Sequence, residues 1–402
     1  MKINNVVPYL LTTQLTDDPW FPNMLFSTAI VRVETVTGLD GLGEITQVCC
    51  CGKVVPPLVV YYKKTLLGKN ALEITRLSQD MLDESVWWAH AGAACSVITG
   101  IEMSLWDLKG KALGVPAYQL LGGPMRESVP AYASGGPALW TFDETLRKVA
   151  HYAEIGYHAT KLSPDFCIMW PASSTEAVNR VKWVKFSHAR SIDEIVRGFG
   201  RLREEFGGDM DLMIDGHQGV ETQPIPATEA LEIADALAPF RLRFYEEPLA
   251  FTDLDGYRYL RERSRISIAA GENFNGSNRF HHWLSSGAVH LVQPDVRVVG
   301  GIHEAVSVIR HTQAFRVTTA IHTGASMGPS FAASWHIAVA CPSVHWLERV
   351  PAAQSIQDDL LVDQFVIENG QVELPSSPEL GVHLTEEHLR KYRFVPGAGE
   401  RT

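Results

Sequence analysis

The stretch Asp211-Leu-Met-Ile-Asp215-Gly-His217-Gln-Gly219 is a short apolar run that ends in a carboxylate and an imidazole two residues apart. Side chains alternate between the two faces of a β-strand, so Asp215 and His217 are expected to project the same way from its end. A buried strand that ends in two polar groups is a candidate for carrying a functional site.

The apolar run at residues 212–217 is one of eight. The other seven are also short and rich in β-forming residues. They lie at 129–133, 158–163, 243–248, 266–272, 290–295, 317–322 and 344–348. All but the last are followed by an amphipathic stretch with helical spacing. Eight strands in this pattern predict an α/β fold, a modified TIM barrel of the (β/α)7β type. The competing doubly wound sheet would need a glycine-rich phosphate turn after its first strand, and Ala133-Ser-Gly-Gly136 is not one.

The barrel pattern occupies residues 126–355, and a different texture precedes it. Alternating strands at 27–36 and 42–46 flank a turn, and helical spacing follows them. Residues 1–125 are therefore expected to form a separate α+β domain. The segment 356–402 alternates again and is expected to return to this first domain.

One connection in the barrel is longer than the others: residues 164–191 separate the second strand from its helix. Loops of this length in compact domains are usually lids or disordered segments. The segment contains Trp170, Trp183 and further aromatic residues, which disordered segments rarely carry. We therefore expect a lid over the strand ends, with an oligomer contact as the alternative.

The composition argues against several classes of partner. The 402 residues are 46% hydrophobic and 20% charged, and the formal net charge is −11. Nucleic acids and anionic membranes require a basic face, so neither is expected as a partner. There is no run of about 18 apolar residues and no signal-peptide pattern, which predicts a cytoplasmic protein. The six cysteines, three of them adjacent at 49–51, are expected to be free thiols.

Six consecutive barrel strands, from the third to the eighth, end in at least one ionisable residue. These residues are Asp215 with His217, Glu246 with Glu247, Glu272, Asp295, His322 and Glu348. The functional residues of such barrels lie at the carboxyl ends of the strands. A single acidic residue there is commonly a helix cap, but six strands in succession exceed what capping explains. Several carboxylates in one mouth repel one another unless a cation binds among them.

Three of these carboxylates come from adjacent strands and suggest a metal site. Asp215, Glu246 and Glu272 offer an all-oxygen set, which suits a hard cation that keeps open positions for a substrate, Mg²⁺ before Zn²⁺. On the next two strands, a carboxylate at Asp295 that orients the imidazole of His322 is a general-base arrangement. The alternative for the imidazole is a purely structural histidine.

The second strand adds a cation. Lys161 and Ser163 face the same way by alternation, which places the ammonium group of Lys161 beside the metal mouth. The alternative is a solvated surface lysine.

At these positions the sequence resembles the enolase superfamily, and within it the mandelate racemase subgroup. The resemblance covers nearly the whole chain. Its motifs are the helical segment 98–117, Leu120-Leu-Gly-Gly123, Asp215, Glu246-Glu-Pro248, Gly271-Glu-Asn273, Pro294-Asp295 with Gly300-Gly301, and His322. The resemblance implies an N-terminal α+β capping domain on the barrel, and it suggests a symmetric homo-oligomer.

The superfamily abstracts a proton alpha to a carboxylate and stabilises the resulting enediolate on Mg²⁺. The implied roles are Asp215, Glu246 and Glu272 as metal ligands, His322 with Asp295 as the base, and Glu348 as a hydrogen-bonding group at the substrate carboxylate. Alternation lets only one of two adjacent glutamates face the metal, and the family's Glu-x-Pro favours Glu246 over Glu247. Because such a proton is weakly acidic, the site needs preorganised positive charge, which Mg²⁺ and Lys161 would supply.

One departure from the subgroup's motifs narrows the choice of reaction. Racemases of the subgroup carry Lys-x-Lys on the second strand, whereas this chain has Lys161-Leu-Ser163, so the second base is missing. His217 matches the Asp-x-His of galactonate and mannonate dehydratases, in which the histidine is implied to protonate a leaving hydroxyl group. The resemblance therefore implies dehydration of a sugar acid to a 2-keto-3-deoxy acid, with His217 as the general acid.

Three alternatives remain open. A cycloisomerase or epimerase of a sugar acid would use the same enediolate chemistry, and a catalytically silent metal-binding regulatory protein would keep the fold without turnover. A Mg²⁺-dependent aldolase is weaker, because it does not call for the pair of Asp295 and His322. The choice of sugar would depend on loops near Trp20-Phe21 and residues 49–52 and on the long insertion, and none of them matches a pattern specific to one sugar.

Overall fold

The computed structural model of the chain describes residues 1–20, 25–45, 51–137, 142–163, 188–220, 224–324 and 326–397. Within these residues, a closed eight-stranded parallel barrel is joined to a separate N-terminal antiparallel sheet with its own helices. The predicted fold class, a (β/α)7β-type barrel with an α+β capping domain, is confirmed. No helix in the described ranges has both the length and the apolar character needed to cross a membrane.

The capping domain has a three-stranded sheet followed by helices. Its elements are β1 (Ile3–Gln14), β2 (Leu25–Thr35), β3 (Asp40–Ile45), α1 (Cys51–Leu66), α2 (Ile74–Glu84), α3 (Gly92–Leu113) and the short α4 (Ala117–Leu120). The strands pair antiparallel in the order β1-β2-β3. Strands β2 and β3 were predicted, whereas β1 was not, because Asn4, Asn5 and Pro8 interrupt its apolar pattern. As an edge strand, β1 tolerates a proline that a central strand would not.

All eight predicted barrel strands are present, with shorter bounds in most cases. They are β4 (Ser128–Pro137), β5 (Ala159–Ser163), β6 (Asp211–Asp215), β7 (Tyr245–Glu246), β8 (Ile268–Ala270), β9 (Leu291–Val292), β10 (Thr318–Ile321) and β11 (Val344–Arg349). Each pairs in parallel with the next, and β11 pairs with β4 to close the barrel. Side chains including those of Tyr132, Met213 and Phe244 fill the interior.

The remaining helices surround the barrel or follow it. They are α5 (Phe142–Glu154), α6 (His188–Phe206), α7 (Ala227–Leu237), α8 (Leu254–Arg263), α9 (Gly276–Ser285), α10 (Val296–Val299), α11 (Ile302–Phe315), α12 (Pro329–Ala340), α13 (Gln354–Leu360) and α14 (Glu386–Lys391). The insertion was predicted at residues 164–191, but α6 begins at His188, so its last four residues belong to the helix. Residues 164–187, on which the interpretation as a lid or an oligomer contact rests, lie outside the described residues. Among cysteines with described side chains, Cys95 and Cys341 are buried and free.

Two buried glutamates of the capping domain hold it against the barrel mouth. Glu44 of β3 accepts hydrogen bonds from the backbone N–H groups of Met327, Gly328 and Ser330, where α12 begins. Glu102 of α3 accepts from two N–H groups at the start of α11. The first turn of a helix has unpaired N–H groups and a positive dipole end, which a carboxylate satisfies. Because α11 and α12 follow β9 and β10, these contacts place the capping domain beside the strand ends that carry the site.

The C-terminal segment contacts both domains. Strand β12 (Gln371–Glu373) pairs antiparallel with β4 of the barrel, a contact that the sequence did not indicate. Further along, the carbonyl of Tyr392 accepts from the N–H of Thr12 at 3.0 Å, and Arg32 donates to the carbonyl of Leu384 at 2.7 Å. The segment therefore packs on the capping domain as well as on the barrel.

Candidate active site

The register of the barrel brings the predicted polar residues to one mouth. Asp215 of β6 lies opposite Glu246 of β7, and a parallel bridge joins the backbones of Asp295 and His322 beyond the ends of β9 and β10. Because parallel strands present their carboxyl ends at the same edge, side chains far apart in sequence meet there. Each predicted site residue lies at this mouth, and the contacts below show how the residues are arranged.

Lys161 is the centre of one half of the site. Its Nζ lies 2.7 Å from Glu246 Oε2, 2.9 Å from Glu348 Oε1 and 3.2 Å from Asp215 Oδ2. The side chain is 3% exposed, and its ammonium group lies 5.7 Å from the ring centroid of Tyr132. Burial opposes the charged form, but the surrounding carboxylates outweigh it and raise the pKa of Lys161 well above its usual value. The alternative of a solvated surface lysine is therefore wrong.

The carboxylates of the mouth have strongly shifted pKa values. Burial, together with the charge of Asp215, raises the pKa of Glu246 to about 8. Burial and the neighbouring Glu247 raise the pKa of Glu272 to about 7. Asp215 is also buried, but His217 and Lys161 hold its pKa well below the usual range. Two of the three carboxyl groups thus retain protons near neutral pH unless a cation takes their place.

The donor set fits a divalent cation. Ligand atoms of Glu246, Glu272 and His322 lie within 4.8 Å of one another. Asp215 is outside that group, but it converges with Glu246 on the same ammonium group of Lys161. Glu246 Oε1 is buried and has no hydrogen-bond partner among the described residues. A buried carboxylate oxygen without a partner is costly, and a cation at this point would satisfy it.

We expect the affinity for a divalent cation to fall as the pH is lowered. The pKa of Glu246 is raised to about 8 and that of Glu272 to about 7, so a binding cation must displace protons from both. Titration calorimetry between about pH 6 and pH 9, in two buffers with different ionisation enthalpies, measures both the affinity and the protons released. An affinity independent of pH, with no proton release, would contradict the assignment.

The same shifts determine how the stability of the metal-free protein depends on pH. The pKa of Glu246 in the folded state lies above its ordinary value of 4.5, so the folded protein binds more protons than the unfolded chain. The free energy of unfolding contributed by this group is therefore greatest at low pH and decreases as the pH rises from about 4.5 to about 8. A bound cation is expected to remove this decrease, which thermal unfolding with and without Mg²⁺ measures.

The pair of Asp295 and His322, predicted to act as the general base, lies at the other side of the mouth. His322 Nδ1 lies 2.8 Å from Asp295 Oδ2, and His322 Nε2 faces the mouth at 3.1 Å from Glu272 Oε2. Burial lowers the pKa of His322, but Glu272, Glu348 and Asp295 outweigh it and raise the pKa to about 10. The imidazole is thus oriented by Asp295 through one nitrogen and presents the other to the site. A cation bound to Glu272 would offset its charge, which is the largest of the charge effects that raise the pKa of His322.

His217 lies beside Asp215 because of an unusual backbone conformation. Its φ is +48°, a left-handed value that costs energy for a residue with a side chain. The turn brings His217 Nε2 to 3.0 Å from Asp215 Oδ2, while the backbone N–H donates to Asp215 Oδ1 at 3.0 Å. The imidazole is 28% exposed, so it borders the mouth and remains accessible.

Glu348 is held as an ionised acceptor. It accepts from the N–H groups of Thr323 and Gly324 at 2.8 Å and 3.1 Å, and it pairs with Lys161. Burial opposes ionisation, but Lys161 and His322 lower the pKa of Glu348 to about 2. In this state it has no proton to donate. Glu348 can donate a hydrogen bond to a substrate carboxylate only if it takes up a proton when the substrate binds. A second carboxylate at short distance favours this, because the like charge raises the pKa of Glu348.

The neighbouring Glu247 has a hydrogen-bond partner of its own beside the candidate metal ligands. Its φ is +37°, and its carboxylate accepts from Asn273 Nδ2 at 2.8 Å. A methyl group at Gly219 would overlap this carboxylate, so the glycine that closes the stretch Asp211–Gly219 makes room for it. The same Asn273 Nδ2 also donates to Glu272 Oε1 at 3.1 Å, and the preference for Glu246 over Glu247 as the metal ligand stays a prediction.

Two residues of the mouth were not identified from the sequence. Gln293 donates to Glu246 Oε2 at 2.5 Å, and Arg297 forms an ion pair with Asp295 at 2.6 Å. Alternation along the sixth strand places Gln293 on the same face as Asp295, so that signal was available. Arg297 follows the strand in α10, where alternation does not apply, and no sequence signal marks it.

Two family models match most of the chain. The model described as enolase C-terminal domain-like matches residues 147–388. The model of the mandelate racemase / muconate lactonizing enzyme N-terminal domain matches residues 25–122. The first range covers most of the barrel and part of the C-terminal segment, and the second lies in the capping domain.

Individual relatives carry names from two reaction classes. D-gluconate dehydratase of Thermoproteus tenax is 29% identical over 404 residues, covering 98% of this chain and 74% of the relative. D-galactonate dehydratase of Xanthomonas oryzae pv. oryzae is 30% identical over 392 residues, covering 96% and 94%. The crystal structure of 3,6-anhydro-D-galactonate cycloisomerase from Zobellia galactanivorans matches with a TM-score of 0.81 at 26% identity, covering 98% of this chain and 99% of that one.

Proposed function

This chain belongs to the mandelate racemase / muconate lactonizing enzyme family of the enolase superfamily, and from this we propose that it is a Mg²⁺-dependent sugar-acid dehydratase. The substrate class is an aldonate or aldarate, and the product is a 2-keto-3-deoxy acid. One observation supports this proposal most strongly: an oriented base, His322, and a second imidazole, His217, border the same carboxylate-lined mouth.

The proposed metal ligands are Asp215, Glu246 and Glu272. When bound, Mg²⁺ supplies positive charge that stabilises the negative charge developing on the substrate carboxylate. Oxygen donors suit Mg²⁺, and the unpartnered Glu246 Oε1 supports a cation at this point. Lys161 lies between two of these ligands and Glu348, so its charge would add to the same stabilisation.

Two proton transfers by residues of this chain complete the reaction. His322 Nε2 accepts the proton from C2, while Asp295 holds the imidazole through Nδ1. His217 donates a proton to the 3-hydroxyl group, which leaves as water, and the enol product then rearranges to the ketone. Each transfer of this kind contributes about 10²–10⁴ in rate. Ser163 stands where the racemases of the subgroup have their second lysine, so elimination is favoured over racemisation.

A screen of sugar acids with Mg²⁺ tests the proposal directly. We expect at least one aldonate or aldarate to give a product lighter by one water that reacts as a 2-keto acid. Mass spectrometry and a carbonyl-specific reagent detect the two properties independently. Complete silence across the library would instead favour a metal-binding regulatory protein without turnover.

A cycloisomerase is the second candidate, and the similarity to the Zobellia galactanivorans enzyme favours it. Such a reaction begins with the same proton transfer to His322, but an ether oxygen of an anhydro-sugar acid leaves in place of hydroxide. The product then has the mass of the substrate. Including anhydro-sugar acids in the screen separates the two candidates by product mass alone.

Replacing His217 with Asn is expected to separate the two proton transfers. The variant retains His322, so it should still exchange the C2 proton of the substrate with D₂O, while dehydration falls by about 10²–10³-fold for lack of the general acid. NMR of the recovered substrate measures exchange, and the keto-acid assay measures dehydration. If exchange and dehydration fell together, or if neither fell, His217 would not be the general acid.

The homo-oligomer expected from the resemblance is part of the same proposal. Val60, Val86 and Trp88 are exposed large hydrophobic residues, and Trp87 is 93% exposed. Tyr61 and Trp88 lie 5.4 Å apart between ring centroids, so the exposed residues of α1 and of the 86–88 turn are neighbours. Covering such residues by a second copy would remove them from water. Light scattering of the purified protein measures the number of subunits.

A further inference from the structure

Arg297 is a buried cation that takes no part in the two proton transfers. It lies in α10, two residues after Asp295, and it is 1% exposed. Burying a guanidinium group is costly unless well-formed hydrogen bonds and an opposite charge compensate for it. Its partners therefore indicate what the residue does.

Arg297 holds both oxygens of the carboxylate that orients the base. Its Nε donates to Asp295 Oδ1 at 3.0 Å, and its Nη2 donates to Asp295 Oδ2 at 2.6 Å. Its backbone N–H donates to Oδ1 at 2.8 Å. Oδ2 is also the oxygen that lies 2.8 Å from His322 Nδ1. The carboxylate cannot rotate toward or away from the imidazole without breaking this two-pronged contact.

The same guanidinium group also holds the backbone next to the base. Arg297 Nη2 donates to the carbonyl of Thr323 at 2.5 Å, and Thr323 directly follows His322. On the other side, the N–H of Thr323 donates to Glu348 at 2.8 Å. Arg297 therefore links Asp295, which follows β9, to the backbone of Thr323, which follows His322 at the end of β10.

Packing around the two side chains is tight. Gly324 has a φ of +49°, and a methyl group on it would lie 3.1 Å from His322 Cε1 and 3.2 Å from Arg297 Nη2. The imidazole and the guanidinium group thus share one glycine-lined space.

The geometry points to Arg297 as a positioning residue that fixes Asp295 and Thr323 and thereby directs His322 Nε2 toward C2 of the substrate. This inference rests on the proposed function, which assigns His322 as the base. Charge alone does not explain the arrangement, because a lysine would supply the same charge. What the arginine adds is a planar fork that contacts both carboxylate oxygens at once.

Arg297→Lys tests the fork, since lysine keeps the charge but cannot contact both oxygens in the same plane. We expect kcat to fall by about 10²-fold, the loss typical of a reacting group misplaced by about 1 Å. KM and the Mg²⁺ affinity should stay unchanged, because Arg297 contacts none of the proposed metal ligands in the described part of the chain. Arg297→Gln, which is neutral, is the second variant if the lysine variant does not fold.

Arg349 provides the matched control. It is a buried arginine at the end of β11 and donates three hydrogen bonds of 2.8–3.1 Å to residues that follow this strand. Among the described residues, these contacts do not include Asp295 or His322. Arg349→Lys is therefore expected to lower the thermal midpoint and leave kcat in place. A wild-type kcat in Arg297→Lys, or an equal loss of kcat in both lysine variants, would overturn the inference.

A spectroscopic measurement decides the inference without a substrate. The proton between His322 Nδ1 and Asp295 should give a downfield ¹H resonance in the Mg²⁺-loaded protein, identified by its loss in Asp295→Asn. We expect Arg297→Lys to shift this resonance and Arg349→Lys to leave it unchanged. An unshifted resonance in Arg297→Lys would overturn the inference. If no sugar acid is turned over by the wild-type protein, the proposed function fails, while this resonance still reports on Arg297.

Discussion

Replacing His322 with Asn is expected to reduce kcat by at least about 10³-fold, or about 4 kcal/mol in the activation barrier, because the variant loses the group proposed to accept the C2 proton. The amide Nδ2 of Asn can take the place of His322 Nδ1 and still donate to Asp295, so the barrel should remain folded. The C2 proton of the substrate should also stop exchanging with D₂O. Steady-state kinetics and NMR of the recovered substrate measure the two effects.

Two controls make this result specific to the base. His281→Asn changes an exposed histidine on α9, on the outside of the barrel, and is expected to leave kcat unchanged. Calorimetric titration of the His322→Asn protein with Mg²⁺ should show that the cation still binds. A His322→Asn variant with near-normal turnover would mean that another group removes the proton.

Replacing Glu246 with Gln is expected to weaken Mg²⁺ binding by at least about 10²-fold. Even the loss of a residue that only hydrogen-bonds a metal ligand typically lowers metal affinity by about 10–100-fold. The amide keeps the size of the side chain but removes the charge that meets the cation. Turnover should disappear with the metal at ordinary concentrations and return in part at high Mg²⁺. Calorimetry and activity at increasing Mg²⁺ measure both effects.

Glu247 is the matched control, because it is adjacent in sequence and equally buried but its carboxylate accepts from Asn273. In Glu247→Gln the amide oxygen can still accept that hydrogen bond. The variant loses a charge that acts on Glu272 but no proposed ligand, so Mg²⁺ affinity should fall much less than in Glu246→Gln. Similar losses in both variants would mean that the site tolerates no change in this glutamate pair. A loss in Glu247→Gln alone would reverse the assignment made from Glu-x-Pro and from strand alternation.

The barrel was predictable because its signal is local. Each strand is a short apolar run that ends at an ionisable residue, and each can be recognised within about ten residues of sequence. Strand β1 was missed for the same local reason, since Pro8 and two asparagines obscure a pattern that tertiary pairing with β2 overrides. The contact of β12 with β4 joins residues more than 200 positions apart, so no local pattern indicates it.

The candidate site was predictable in its members but not in its contacts. Strand ends of a parallel barrel converge, so polar residues at those ends could be grouped before any distance was known. Whether Asp215 faces Lys161, His217 or the metal position depends on backbone angles such as the left-handed φ of His217. The role of Glu348 as a hydrogen-bonding group at the substrate stays a prediction, while the low pKa that Lys161 and His322 give it depends on contacts absent from the sequence.

The sequence by itself determined the order of the barrel strands, the fold class and most of the residues that meet at the mouth, because hydrophobic periodicity and strand ends are properties of neighbouring residues. Only the tertiary structure decided the charge states of the site residues and which neighbouring side chains hold them in place. Burial and Coulomb interactions depend on distances between groups, such as the 2.7 Å from Lys161 to Glu246, that sequence does not contain. The stretch that ends in Asp215 and His217 thus indicated a site, and its contacts with Lys161 and within the pair of Asp215 and His217 determined its electrostatics.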